Sequence, residues 1–286
     1  MTVWWIGGAP GAGKTTVARL LARRYGFGWY GADTRTWAHR DRAIAAGHQA
    51  AIRWEALSPA ARWTAPTPEL LAMSLHRERG PMIAADLRAL PATGSTVAEG
   101  TPITPSVAPA ARSLWLLPAP GVQQARLAAR GLSPGARRLY TALTEEIAAE
   151  VAAAGARVLV VDGERDIDAT LALVEVAFGP ELATAPAARG RQERRALLRA
   201  GNRSVLDQYL GYFARPWALG DPLDAVAVFA CECGAADYHA ELELSIARAA
   251  EALAAAEAEV AEAEVAVAEA GTTTVARLLA PGHRGG

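Results

Sequence analysis

Short apolar runs alternate with stretches of helical period along the first part of the chain. Val3-Trp4-Trp5-Ile6 is uninterrupted and predicts a buried strand, and Thr16 to Arg24 behind it carries apolar residues at helical spacing. Phe27-Gly28-Trp29-Tyr30 predicts a second short strand, and Thr96-Val97-Ala98-Glu99-Gly100 a third that ends in an acid. Ser113 to Leu117, closed by Pro118, predicts the fourth. Arg157 to Gly163 is the most strand-like run of all and predicts the last parallel strand, with Ile167 to Phe178 as the helix after it. Between the second and third strands, Thr36 to about Leu90 keeps helical spacing, interrupted at Ser58-Pro59 and from Thr64 to Pro68. Gly121 to Arg138 also reads as helical and carries Arg126, Arg130, Arg137 and Arg138. The alternation describes an α/β domain with a central parallel five-stranded sheet.

The second half changes character. Glu181 to Gly190 is rich in Ala, Pro and Gly and reads as a linker; Arg191 to Arg199 starts a basic helix that Asn202 to Phe213 continues. Ala225 to Ala230 and the alternating Glu241 to Ile246 form a hairpin-like pair around Cys231-Glu232-Cys233-Gly234. Ala247 to Ala270 is almost pure Ala, Glu and Val and predicts a long helix, with a weak 3–4 seam of Ala249, Leu253, Ala256, Val260, Ala263 and Val267. Its polar face is acidic, with Arg248 the only cation inside it, so it is expected to pair with another helix or project into solvent. Pro281 to Gly286 is expected to be disordered. The expected units are therefore residues 1–182, a linker and basic helix start over 183–200, a small Cys-bearing α+β module over 201–247, and an Ala/Glu-rich helix with its tail over 248–286.

The first strand runs into Gly8-Ala9-Pro10-Gly11-Ala12-Gly13-Lys14-Thr15, which fits the P-loop pattern of Gly, four residues, then Gly-Lys-Thr, followed by Thr16 at the helix start. Gly8, Gly11, Ala12 and Gly13 let backbone N–H groups turn inward as an anion cradle, and the helix N-terminus adds partial positive charge. Lys14 is placed to reach the β- and γ-phosphates of a nucleotide, and the Thr15 hydroxyl to ligate Mg²⁺. Composition sharpens this. Lys14 is the only lysine in 286 residues, every other basic side chain being arginine. A planar guanidinium does not replace a compact ammonium at that position. The absence of any other lysine also rules out the Asn-Lys-X-Asp guanine-reading motif, so ATP is the expected nucleotide.

Asp33 closes the second strand, and in such a fold the carboxyl ends of the strands meet the ligand. Glu99 ends the third strand, where it is placed to hold Mg²⁺ or orient an acceptor, or else serves as a strand-end turn residue. Asp162 is the better literal match to an apolar run closed by an acid, but it follows the last strand. The P-loop, the short first helix and the acid closing the second strand resemble the small-molecule P-loop kinases, such as the shikimate, gluconate and chloramphenicol kinases. The run of elements is also similar to that of uncharacterised ATP-binding proteins from GC-rich bacteria. The resemblance spans about residues 1–180 and implies a three-layer P-loop fold. By resemblance, Asp33 contacts the acceptor hydroxyl, and the arginines after the fourth strand form a lid over the phosphates. Arg126 and Arg130, four apart, are the preferred pair. The helical insertion resembles substrate-binding helices, in which Arg35, His39, Arg40 and Arg53 are candidates for an anionic or polyhydroxylic substrate. Trp29, Trp37, Trp54 and Trp63 are expected in the core rather than as a base-stacking platform.

The Cys-bearing turn resembles a small bacterial module in which a third Cys follows. Tyr238 stands there instead, with His239 beside it, so too few ligands remain and zinc is not expected. The net charge of −1 and the absence of an apolar run of about 20 residues argue against nucleic-acid and membrane partners. The first strand begins almost at once and leaves no room for a leader, and with two cysteines the expected compartment is the cytoplasm. Function divides three ways: an ATP-dependent phosphotransferase acting on a hydroxyl-bearing small molecule, a nucleotide-binding regulator whose C-terminal part binds a partner, or a P-loop ATPase relying on Asp162.

Overall fold

The computed structural model describes residues 1–92, 94–236 and 240–258. The central sheet comprises β1 (Thr2–Gly8), β2 (Gly28–Gly31), β3 (Ser95–Glu99), β4 (Ser113–Pro118) and β5 (Val158–Val161) in the order β2-β3-β1-β4-β5, every pairing parallel. Adjacent strand residues face opposite ways, and the paired tryptophans of β1 show it. Trp4, with Ile6, Val97 and Leu116, packs under α1 (Lys14–Tyr25) and α9 (Ile167–Phe178). Trp5, with Ala98 and Trp115, faces a second core built on the other helical layer. That layer includes α3 (Gln49–Ala56), α5 (Thr67–Ser74), α6 (Arg79–Ala89) and α8 (Pro134–Ala153). The result is a three-layer α/β fold with a sheet buried on both faces, which is why its strands read as continuous apolar runs. β5 lies at the sheet's edge, and Val158 and Val160 are exposed there.

Several expected boundaries move. The insertion folds as α2 (Thr36–Ala45), α3, α4 (Pro59–Thr64), α5 and α6, broken at Ser58-Pro59 and between Thr64 and Thr67 as expected, and also at residues 46–48 and 75–78, where no break was expected. The single helix expected over Gly121 to Arg138 is two, α7 (Pro120–Ala129) and α8. Gly131 takes a left-handed conformation between them, and Ser133 caps α8 just before Pro134. The expected linker contains α10 (Glu181–Thr184), whose Leu182 is buried, and the Ala188 N–H donates to the Gly26 carbonyl at 2.8 Å. α11 (Arg191–Phe213) is one continuous helix through the boundary expected between residues 200 and 201. It packs on β2 and α2, and at Gly211 an added Cβ would lie 3.1 Å from Trp37, so a larger residue there would push the helix or the indole back by a few tenths of an ångström.

β6 (Val226–Ala230) and β7 (Glu241–Ser245) pair antiparallel as the hairpin pattern predicts, and residues 246–258 are helical. Leu206 of α11, Phe229, Ile246 and Leu253 form their shared core. Tyr238, His239, the later seam residues Val260, Ala263 and Val267, and the Pro281 to Gly286 tail lie outside the described residues. Among the described helices none is long and apolar enough to cross a membrane.

One carboxylate ties the insertion to the sheet. Asp86 of α6 accepts from the Tyr30 hydroxyl at 2.8 Å, from His39 Nε2 at 3.0 Å and from Arg42 at 2.8 Å. Burial alone would raise its pKa, but the bonds from His39 and Tyr30 and the charge of Arg42 outweigh that and hold it well below the usual carboxylate range. Its contribution is therefore complete above the ordinary value of 3.8 and is lost as pH falls through and below it.

Two outcomes follow for stability. Asp86→Asn destabilises the chain by about 2–4 kcal/mol at pH 7 and flattens the acid limb of its stability, read by urea unfolding at pH 7, 5 and 3. Leu206→Ala, at a fully buried position, costs about 2–5 kcal/mol in the same assay at pH 7.

Candidate functional site

The carboxyl ends of β1, β2 and β3 converge through register: Glu99 lies opposite Ile6 on one side and Gly31 on the other. The loop leaving β1 and the turn leaving β2 are thereby brought beside the end of β3. Gly8 has φ +127°, and an added Cβ would meet the Leu116 carbonyl at 2.1 Å, so the exit from β1 demands glycine. Gly13 is left-handed (φ +84°) and directly precedes α1, whose first turn at Lys14, Thr15 and Thr16 presents N–H groups without helical partners. The loop is held from outside by α7. Gln123 donates to the Pro10 carbonyl at 3.1 Å and Arg126 to the Gly11 carbonyl at 2.9 Å.

Lys14 is buried and donates to the Ala9 carbonyl at 2.9 Å and to the Thr101 hydroxyl at 3.3 Å. Burial pulls its pKa down, Arg130 adds to that, and the charges of Asp33 and Glu99 oppose it. The Thr101 hydroxyl donates in turn to Asp33 Oδ2 at 3.4 Å, and the Thr101 N–H reaches the same oxygen at 3.3 Å. A polar relay thus runs from the P-loop ammonium to Asp33, whose side chain remains about half exposed. Arg79 Nη1 lies 3.8 Å from Asp33 Oδ1.

Arg79 is itself fixed from behind, donating to the Ala32 carbonyl and, at 3.1 Å, to His39 Nδ1. An Nδ1 that accepts leaves the proton on Nε2, the atom facing Asp86, and burial, the largest influence, keeps the His39 pKa low. Asp86, His39 and Arg79 therefore orient Asp33 in series.

Thr15 donates to the Glu99 carboxylate, 3.1 Å from each oxygen. Glu99 is 1% exposed, and burial together with the nearby charge of Asp33 pushes its pKa up to about 8 against the pull of Lys14. A hydroxyl, a buried carboxylate and a second carboxylate close by form a hard-oxygen donor set of the kind that suits Mg²⁺.

These groups open into one cavity of about 540 Å³, within the range of small-molecule sites. Gly11, Gly13, Lys14, Thr15, Thr16, Asp33 and Arg130 line it, together with Arg40, His76, Arg79, Thr101 and three tryptophans, Trp37, Trp54 and Trp63. Trp54 and Trp63 also belong to the core, and Trp37 packs at a tilt against Tyr212 and Trp217, so the expectation of core tryptophans holds for only part of their surface. Of the four residues singled out in the insertion, only Arg40 lines the cavity; Arg35 and His39 turn to Asp86, and Arg53 pairs with Glu69. Arg138 donates to the carbonyls of Trp63 and Ala65. Asp162 lies away from the cavity, at the edge-strand end, paired with Arg165. Thr101, His76 and Arg79 have no sequence motif; Thr101 is detectable only as the hydroxyl two residues beyond the acid that closes β3.

A second cavity, of about 340 Å³ and largely apolar, lies between α1, α11 and the hairpin. It includes Arg23 but none of the residues that converge on Lys14. Arg23 donates to the Cys231 and Ala235 carbonyls and to Cys233 Sγ at 3.1 Å, so the cysteine turn is held by a guanidinium.

No family model and no curated protein matches the chain. Among solved structures it is similar to an unliganded sugar kinase from Janibacter sp. HTCC2649, at 19% identity and a TM-score of 0.34. The match covers 64% of this chain and 98% of that one.

Proposed function

We propose that the chain binds ATP with Mg²⁺ and transfers the γ-phosphoryl group to a hydroxyl of a small molecule. The observation that carries this reading is the relay from Lys14 through Thr101 to the half-exposed Asp33, lining one cavity with Thr15, whose hydroxyl is held from behind by the buried Glu99. The glycine loop and the first turn of α1 hold the phosphates, and Lys14 swings from the Ala9 carbonyl to the β- and γ-oxygens. Thr15 and Glu99 hold Mg²⁺, which when bound offsets the charge of the phosphates. Asp33 accepts the proton of the attacking hydroxyl or orients it, and Arg79 and Thr101 keep its carboxylate aimed into the cavity. Arg130 adds positive charge beside Lys14, while Arg126 acts on the loop's shape through Gly11. In this reading residues 1–182 carry the chemistry, and the described part of the C-terminal region walls the cavity through α11.

The test is ADP release from ATP·Mg²⁺ in the presence of pooled hydroxyl-bearing metabolites. Lys14→Ala lowers nucleotide affinity at least about tenfold, measured with a fluorescent ATP analogue. Asp33→Ala keeps that affinity and loses about 10²–10⁴ of acceptor-dependent turnover. Tight nucleotide binding without turnover against any pool selects the regulator reading instead.

A further inference from the structure

The cavity described above has a part that phosphate binding does not use. Arg40 is 3% exposed and lines it, yet only one of its nitrogens is bonded, Nη2 to the Met73 carbonyl at 2.9 Å. Among the described residues Nε and Nη1 have no hydrogen-bond partner, and the guanidinium carbon sits 4.7 Å from the centre of the Trp54 ring. Arg40 makes no ion pair among the described residues; the carboxylate that acts on it most, Glu55, is engaged by Trp217 Nε1 at 2.6 Å and lies 3.6 Å from Arg215. The charges of Arg79, Arg215 and Arg62 also act on Arg40 and oppose the pull of Glu55. Burial, the largest influence, and these cations push its pKa down to about 10 against the pull of Glu55, which is the cost of a buried guanidinium that no carboxylate pairs directly.

Three more side chains on the same cavity have an unpartnered polar atom: Trp54 Nε1, His76 Nε2 and Gln208 Oε1. Each such atom is destabilising when buried unsatisfied. That several of them gather around one cavity marks a surface built for a ligand rather than scattered packing defects. Their chemistry is specific. Arg40 and Trp54 offer N–H donors, which suit an oxyanion, and Gln208 offers an acceptor, which suits a ligand hydroxyl. Trp37, Trp54 and Trp63 supply flat apolar walls for the body between them.

We propose that Arg40 anchors an anionic group of the acceptor, so that the molecule accepting phosphate is a small hydroxylated organic anion, a carboxylate or a phosphate monoester. This rests on the phosphotransfer reading for the hydroxyl, but the anion subsite stands on its own residues.

The experiment uses the full chain loaded with β,γ-imido-ATP·Mg²⁺, so that the P-loop is filled and an added anion reports the other end of the cavity. Two matched sets are titrated by thermal shift and tryptophan fluorescence. One is glucose, gluconate and glucose 6-phosphate; the other is 4-hydroxybenzyl alcohol, 4-hydroxybenzoate and 4-hydroxyphenyl phosphate. Anionic members are expected to bind at least about tenfold more tightly than their neutral counterparts. Comparing the carboxylate with the phosphate ester identifies which oxyanion the site takes. Arg40→Gln removes the preference and Arg40→Lys restores part of it. Gln208→Leu, at a half-buried position of α11, removes the acceptor for a ligand hydroxyl and weakens neutral and anionic members alike, so a loss confined to the anions belongs to Arg40.

Equal binding of neutral and anionic members, no binding by any member, or anion binding that survives Arg40→Gln overturns the proposal. ADP release with ATP then separates the two readings. Arg40-dependent anion binding without ADP release leaves the subsite and removes phosphotransfer, whereas transfer to a neutral acceptor indifferent to Arg40→Gln does the reverse.

Discussion

Glu99 is buried beside Asp33, with Lys14, the Thr15 hydroxyl and, more weakly, Arg19 to compensate it, and much of the fold serves to keep Glu99, Asp33, Lys14 and Thr15 together. A carboxylate and an ammonium taken out of water, with a second carboxylate beside them, are costly unless each is aimed at a partner. The aim comes from the backbone. Parallel register sets Glu99 level with Ile6 and Gly31, and the tight exits from β1 and β2 then deliver Lys14 and Asp33 to the same edge.

The helical insertion does more than cover the sheet. Through Asp86, His39 and Arg79 it reaches back to Asp33, so the carboxylate's direction depends on a helix whose sequence carries no motif. The same insertion supplies Arg40, Trp54 and His76 to the cavity. Scaffold and site are here made of the same side chains.

The sheet was legible from the chain because its strands are buried on both faces: Val3 to Ile6, Thr96 to Glu99 and Ser113 to Leu117 each sit inside an observed strand. Lys14, Thr15, Asp33 and Glu99 were legible because a local motif and the ends of strands place them. Arg79, His76 and Thr101 were not, since nothing local distinguishes them from polar residues on a solvated face; they meet the site only through tertiary closure. The same holds within the insertion, where Arg35, His39, Arg40 and Arg53 look alike in sequence and are sorted only by what they pack against. The break between α7 and α8 was written in Gly131 and Ser133-Pro134, but helical spacing on either side conceals it. The docking of residues 181–213 was hidden too, because an Ala- and Pro-rich composition does not reveal that Leu182 is buried.

α11 touches the cavity through Gln208 and supports Trp37 through Tyr212, while its other contacts hold the hairpin and residues 246–258. The two ends of the chain therefore share a thermodynamic account. Any occupant that gains from Trp37 and Gln208 being in place tightens the seating of α11 by the same amount, and anything that loosens α11 weakens the occupant equally. A protein partner gripping the hairpin would thus tune the cavity without entering it, and the cavity's occupancy would be felt at the hairpin in return.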